Sequence, residues 1–342
     1  MTMLEVRDLT VTYRYGDASL AAVRSVGFTL DGGEILGVAG ESGSGKSTMA
    51  LSLVRLLPPG AGITGQVLFH GEDLTTATWG KLRAVRWAQA SLVFQGAMNA
   101  LNPVRSVGEQ IAEPIRLHER VDHRAVGRRV ADLLDSVGVS SRRASAYPHE
   151  LSGGQRQRVM IAMALACRPD LIIADEPTTA LDVMVQAQIL QLLTDLVAQS
   201  DIAVIMISHD LAMLADTCDR LAVMYAGRLV ESGPAGQVFA EPRHPYTQAL
   251  SRAFPRVGDS TSRRAPASLP GEPPALGAVG DGCAFAPRCS LVMPDCLTRD
   301  IEPWPSGPGR EAACLLVLPD PAVVGEHGPR VGERHPRVGA SD

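Results

Sequence analysis

The sequence predicts an α/β fold whose central sheet is buried on both faces. Three observations predict it. Short apolar runs alternate with helical patterns from residue 1 to about 255. Two of those runs, Leu171-Ile-Ile-Ala and Ala203-Val-Ile-Met-Ile, are continuously apolar, as strands covered on both sides are. The segment Gly40-Glu-Ser-Gly-Ser-Gly-Lys46-Ser47 lies between one such run and a helical pattern, the context of a phosphate-binding loop.

In chain order, residues 27–30 read as a strand. Residues 35–39 read as the strand feeding the glycine-rich loop, and 46–57 as the helix that the loop opens. Residues 91–94 form the next strand. From about 96 to 158 the strand signal fades and helical patterns dominate, with 126–137 an example, so a helical insertion in the α/β core is expected. An apolar-periodic helix over 156–168 precedes the strands 171–174, 203–207 and 220–225. Gly, Pro and Ser then dominate, so 256–282 is expected to be a linker. A compact cysteine-bearing segment follows at 283–318. The tail, 319–342, repeats Pro-Arg-Val-Gly and holds too little apolar surface to offset its ordering entropy, so it is expected to be disordered.

Composition narrows the function. The 32 Lys+Arg against 37 Asp+Glu give −5, which argues against a chain held on nucleic acid by bulk positive charge. No run approaches the roughly 20 apolar residues that span a bilayer. The first residues, Met1-Thr-Met-Leu-Glu-Val-Arg-Asp, lack the basic-then-apolar pattern of a signal peptide. A soluble, intracellular chain is expected, with its six cysteines not in stable disulfides.

The glycine-rich loop carries specific chemistry. Gly40, Ser42, Gly43, Ser44 and Gly45 let the backbone curl so that successive N–H groups face phosphate oxygens, and the helix N-terminus beginning at Lys46, Ser47 and Thr48 adds partial positive charge. Lys46 is placed to reach the β- and γ-phosphates, and Ser47 to offer a hydroxyl to Mg²⁺. Asp175 ends the apolar strand 171–174, where open α/β sheets bind ligands, and is expected to hold Mg²⁺ through its water shell. Glu176, one residue on, is the candidate general base for the attacking water.

Leu151-Ser-Gly-Gly-Gln155 precedes a helix and aims a second helix N-terminus at an anion. Together with the phosphate loop and Asp175-Glu176, it makes the chain resemble the ATP-binding-cassette ATPases over residues 4 to about 255. The resemblance implies a P-loop NTPase cassette: a RecA-like core, an N-terminal antiparallel β subdomain and an inserted helical subdomain. A small irregular C-terminal cysteine module would follow. It implies ATP and Mg²⁺ as cofactors, and a head-to-tail pair in which Ser152, Gly153, Gly154 and Gln155 close over the partner's ATP. By the same resemblance Gln95 touches Mg²⁺ and the attacking water. Ala180-Leu181-Asp182 crosses the dimer interface, and His209 contacts the γ-phosphate. Tyr13 stacks on adenine, with Tyr15 the second candidate for that role.

Four further segments are similar to the oligopeptide/dipeptide/nickel importer branch. They are Leu101-Asn102-Pro103, Tyr147-Pro-His-Glu-Leu-Ser, His244-Pro-Tyr-Thr-Gln-Ala-Leu250 and Gly282-Cys-Ala-Phe-Ala-Pro-Arg-Cys289. The chain departs from that branch at Gly96-Ala97, where relatives carry Asp-Pro near the expected membrane-subunit contact. One phosphate loop and one signature make one cassette. The implied partners are therefore a second ABC ATPase subunit (a paralogue or a copy of this chain), two transmembrane permease subunits and an extracytoplasmic substrate-binding protein. The implied location is peripheral, on the cytoplasmic face of the cell membrane. Peptide uptake is the leading expectation and nickel or metal-chelate uptake the alternative. A soluble translation or repair ATPase is disfavoured, because the chain has one cassette, no long coiled coil and no basic stripe.

Cys283, Cys289, Cys296 and Cys314 lie within 32 residues of a Pro/Gly-rich stretch with too few apolar residues for its own core. One metal centre is expected there as a staple, a [4Fe–4S] cluster or zinc, the gaps of five, six and 17 residues favouring the bulkier cluster. Cys167 and Cys218 read as small core residues. Nothing in the sequence places the segment at the γ-phosphate, so its expected role is structural or redox-responsive.

Overall fold

In the computed structural model, which describes residues 2–16, 18–94, 100–179, 181–253, 269, 271–275 and 277–318, the N-terminal segment forms a long antiparallel pair. Strands β1 (Thr2–Tyr15) and β2 (Ala18–Asp31) bury Leu4, Val6, Leu9, Val11, Val23, Val26, Phe28 and Leu30. With β4 (Gly62–Phe69) and β5 (Glu72–Asp73) they make a four-stranded sheet in the order β2-β1-β4-β5. This is the antiparallel subdomain expected beside the core.

The second sheet is the one read from the apolar runs. Strands β3 (Ile35–Ala39), β7 (Leu171–Asp175) and β8 (Ala203–Ser208) are buried at every residue. They lie parallel with β6 (Ala90–Val93) and β9 (Arg220–Tyr225) in the order β9-β3-β8-β7-β6. Helix α1 (Lys46–Leu53) follows β3 and stops four residues short of the expected 57. A short helix, α2 (Trp79–Val85), precedes β6.

The insertion between β6 and β7 is helical, as expected. It holds α3 (Val107–His118), α4 (His123–Ser136) and α5 (Gly153–Ala164). Their starts are locally encoded. Ser106 and Glu109 form a capping box on α3, and Asp122 accepts from the Arg124 and Ala125 N–H groups at the head of α4. The remaining helices are α6 (Val183–Gln199), α7 (Leu211–Thr217), α8 (Ala235–Ala240) and α9 (Pro245–Ala253). None in the described residues is long and apolar enough to cross a membrane.

The cysteine-bearing segment departs from expectation. It is not merely a small irregular appendage. Strands β11 (Trp304–Gly307) and β12 (Arg310–Ala312) form a hairpin that pairs with β10 (Arg228–Pro234), extending the core sheet to β11-β12-β10-β9-β3-β8-β7-β6. Phe285 is buried in the same apolar cluster as β3 and β8, and the Arg310–Glu231 ion pair (3.1 Å) lies buried where the hairpin joins. A segment with too few apolar residues for its own core has borrowed the cassette's. The expected tail at 319–342 and most of the expected linker lie outside the described residues.

Candidate functional site

The parallel strands β3, β8, β7 and β6 are neighbours, so the segments leaving their C-terminal ends line one edge of the sheet. In that order these carry the phosphate loop, His209, Asp175-Glu176, and the residues after Val93. Gln95 itself lies outside the described residues.

The loop needs its glycines. Gly40 has φ +153° and Gly45 φ +100°, and a Cβ would strike the Met224 carbonyl at the first and the Ala22 carbonyl at the second. Lys46 is buried, and its ammonium donates to the carbonyls of Gly40 and Glu41 (both 2.7 Å) and to Ser44 Oγ (3.3 Å). Burial lowers its pKa, while Glu176, Asp175 and Glu41 pull it back up. Ser42 and Gly43 form the exposed crest. Tyr13 is half-buried, and its hydroxyl meets Thr48 Oγ1 at 3.3 Å, which ties the aromatic of β1 to the first turn of α1.

Asp175 is 7% exposed. Burial pushes its pKa up and a hydrogen bond from Ser47 works against that. Its Oδ1 is buried without a hydrogen-bond partner. A buried carboxylate oxygen lacking a partner, beside a hydroxyl at a phosphate loop, is a donor set that suits Mg²⁺. Ser47 and Asp175, with the glutamine expected at 95, would hold it, and the ion would neutralise charge on the phosphate oxygens.

Glu176 adopts φ +46°, uncommon for a residue with a Cβ. Its N–H donates to the Ile207 carbonyl (3.0 Å), which locks it between β7 and β8. Oε2 accepts from Thr179 Oγ1 (2.8 Å), and Oε1 lies 3.6 Å from His209 Nδ1. The fold thus joins two of the candidate catalytic residues, Glu176 and His209, from adjacent strands, with Asp175 beside them. The arrangement can orient a water with one carboxylate and hold metal-bound phosphate with the other.

The signature lies on the insertion. Ser152 caps α5 by accepting from the Gln155 N–H, and Gln155 Oε1 accepts from the Ser152 N–H in return. Gly153 and Gly154 open the first turn against Leu181 and Val185. A Cβ at Gly154 would come within 2.7 Å of Val185. Asp182 caps α6 through the Val185 N–H (3.0 Å), while Ala180 lies outside the described residues. The signature and the segment after Asp175-Glu176 therefore pack together as one surface.

Residues 23–179 match the family described as ABC transporter, and residues 230–296 match the one described as oligopeptide/dipeptide transporter, C-terminal region. The oligopeptide transport ATP-binding protein OppD of Salmonella typhimurium (strain LT2) is 45% identical over 316 residues, covering 92% of this chain and 93% of that protein. The chain belongs to the ABC transporter family of ATPases. OppD of Haemophilus influenzae is 44% identical over 296 residues, spanning 86% of this chain and 91% of its own. Among solved structures, a dimeric post-hydrolysis state of the ATP-binding cassette MJ0796 bound to ADP and Pi aligns with TM-score 0.62 and 29% identity. It covers 68% of this chain and 99% of that one.

Around the cassette's C-terminal segment, Cys283, Cys289, Cys296 and Cys314 line one cavity. Backbone N–H groups point at the sulfurs, with Leu291 N to Cys289 Sγ at 3.4 Å and Met293 N to Cys296 Sγ at 3.5 Å. Burial raises the thiol pKa of Cys283, Cys289 and Cys314, the last to about 11. Among the described residues no group of three or more His, Cys, Asp or Glu is arranged to hold a metal ion, so the expected four-cysteine centre has no direct support in the geometry. Cys218 is buried in the cassette core, as expected, whereas Cys167 is only half-buried.

Sequence reasoning missed Glu41, Tyr246 and Arg288. Glu41 was visible only as a variable position of the loop. Tyr246 lies in the His244-Pro-Tyr motif, whose sequence marks the branch and carries no sign of a loop contact. Arg288 lies between Cys283 and Cys289, with no motif of its own. The structure brings the three together at the phosphate loop, a link between this segment and the loop that the sequence does not show.

Proposed function

We propose that this chain is the ATP-hydrolysing subunit of a peptide importer. One observation carries the reading: a complete phosphate-loop site on the sheet edge shares a chain with a C-terminal region of the oligopeptide/dipeptide type, residues 230–296. Lys46 and the loop N–H groups hold the β- and γ-phosphates, Glu176 polarises the water, and His209 senses the γ-phosphate. Tyr13 stacks on adenine. The signature at Ser152 closes over ATP held by a second cassette, either a paralogue or another copy of this chain. Two membrane-spanning permeases and an extracytoplasmic binding protein complete the assembly, with this subunit peripheral on the cytoplasmic face. The proposed division is a cassette over 1–255, with its helical subdomain at about 96–158. A linker over 256–282, a cysteine module over 283–318 and a tail over 319–342 follow.

A strain lacking this chain is expected to lose uptake of labelled short peptides and to regain it with the wild-type gene but not with Lys46→Ala. Normal peptide uptake alongside lost nickel or metal-chelate uptake would move the assignment to that alternative.

For the cysteines we infer a [4Fe–4S] cluster, with zinc the second reading. The reading rests on four thiols lining one cavity, with N–H groups aimed at the Cys289 and Cys296 sulfurs; the four would have to draw together around the metal, since they do not meet as a ligand set. Protein purified without oxygen should contain iron and acid-labile sulfide and lose both in Cys289→Ser but not Cys167→Ser. Stoichiometric zinc without either would decide for zinc.

A further inference from the structure

Glu41, the second residue of the phosphate loop, is fastened from outside the loop. Its N–H donates to Tyr246 Oη (2.9 Å), and its carbonyl accepts from Lys46 Nζ (2.7 Å). Its carboxylate receives two parallel bonds from Arg288, Nη1 to Oε2 at 2.7 Å and Nη2 to Oε1 at 3.0 Å. Arg288 stands 247 positions away in sequence, immediately before Cys289. Its side chain is 5% exposed, and its guanidinium lies 5.7 Å from the Tyr225 ring and 5.8 Å from the Phe285 ring. Nη1 also donates to Tyr225 Oη at 3.2 Å. Tyr225, Tyr246 and Phe285 pack on one another with centroids 4.6 to 5.4 Å apart. The planar fork of an arginine against a carboxylate fixes orientation as well as distance.

The consequence lies in what Lys46 must do. It now donates to the Gly40 and Glu41 carbonyls. To reach the β- and γ-phosphate oxygens the ammonium must turn donors away from its present acceptors, which weakens one of the bonds that hold Glu41. The loop N–H groups converge on phosphate only while the turn keeps its shape. Tyr246, Arg288 and the Ser44 N–H, which donates to the Glu41 carbonyl at 3.2 Å, are the anchors that remain, and of these Tyr246 and Arg288 lie outside the loop.

We propose that Arg288 is a positioning residue for the phosphate loop, holding Glu41 in place as Lys46 engages the phosphates and so making the cysteine-bearing segment part of the ATP site. The proposal rests on the ATP-site reading given above. Arg288 acts through Glu41 and does not itself meet the nucleotide.

The test is equilibrium binding of a fluorescent ATP analogue to the full chain, together with steady-state kinetics in the assembled transporter. Arg288→Gln and Glu41→Gln are each expected to weaken nucleotide binding about tenfold, within the usual range for coupling between linked groups. The double variant should bind about as weakly as either single one, because both remove the same link. Arg288→Lys should recover part of the loss, since an ammonium replaces one arm of the fork. In the transporter the loss should appear as a raised KM for ATP with kcat changed less than about twofold. Wild-type affinity in Arg288→Gln, or losses that simply add in the double variant, would overturn the proposal. Glu41→Gln, at a part-exposed position, decides the question if Arg288→Gln does not fold. Lys46→Ala is the separate control: unchanged nucleotide binding there would refute the ATP site itself rather than the role of Arg288.

Discussion

Replacing Arg310 with Met tests how the C-terminal hairpin is joined to the cassette. Arg310 on β12 and Glu231 on β10 form an ion pair whose side chains are 3% and 0% exposed. Glu231 also accepts from the Arg243 N–H (2.8 Å) and the His244 N–H (2.9 Å), and Arg310 Nη2 donates to the Glu241 carbonyl (2.6 Å). Arg310→Met keeps much of the side-chain volume but leaves the Glu231 carboxylate buried with two backbone donors and no counter-charge. Breaking a buried pair from one side costs about 3–5 kcal/mol. For a chain of this size that corresponds to a fall of roughly 10 °C in melting temperature. Adding Glu231→Gln removes the stranded charge and keeps an oxygen for one of the two N–H groups, which bond to different carboxylate oxygens, so the double variant should be more stable than Arg310→Met alone. Urea unfolding followed by tryptophan fluorescence reads the effect, and Trp304 on β11 reports the hairpin directly. A loss below about 1 kcal/mol, or a double variant worse than the single, would show that the pair does not hold the hairpin as described.

Other outcomes follow from the same geometry. Glu176→Gln should cut ATP hydrolysis in the assembled transporter by about 10²–10⁴-fold and leave nucleotide binding intact, because an amide cannot take the water's proton; turnover near the wild-type rate would remove Glu176 as the base. Ser152→Arg should impair hydrolysis at the site whose phosphate loop belongs to the other cassette, which mixed wild-type and variant assemblies can separate. His244 is buried, and that burial holds its pKa down to about 4. The unfolded chain, with an ordinary pKa near 6.5, takes up the proton first. Stability should therefore be full above about pH 6.5 and decline as pH falls towards 4, by up to about 3 kcal/mol. Unfolding midpoints at pH 7.5 and 5 should show that slope in the wild type and a smaller one in His244→Gln.

The nucleotide site was legible because its parts are contiguous and their backbone demands are local. Gly40 and Gly45 need conformations that glycine supplies, Asp175 ends a run of buried apolar residues, and Ser152 with Gln155 spells a capping box. The apolar pattern of the long β1–β2 pair is readable as strand only over 27–30. Register shifts, such as that between Val6 and Leu9, interrupt the alternation on which strand reading depends. The hairpin at 304–312 was hidden for a different reason. Pro305, Gly307, Pro308 and Gly309 argue for loop, and only the offered edge of β10 makes strands of them. The Arg288–Glu41 contact has no local signature, since it joins two turns 247 positions apart.

The hairpin also decides what the central sheet shows to its surroundings. β10 is a largely buried strand, with Leu229, Val230 and Glu231 all buried, and its outer side is occupied by β12 and by the bond from the Ala313 N–H to the Val230 carbonyl. Without residues 304–313 that row of donors and acceptors would face solvent, an open template for another chain's strand. With them, the outermost strand is Trp304-Pro305-Ser306-Gly307, where proline removes a donor and glycine weakens the extended backbone. The sheet of this chain thus ends on a strand poorly suited to pairing with another chain's edge.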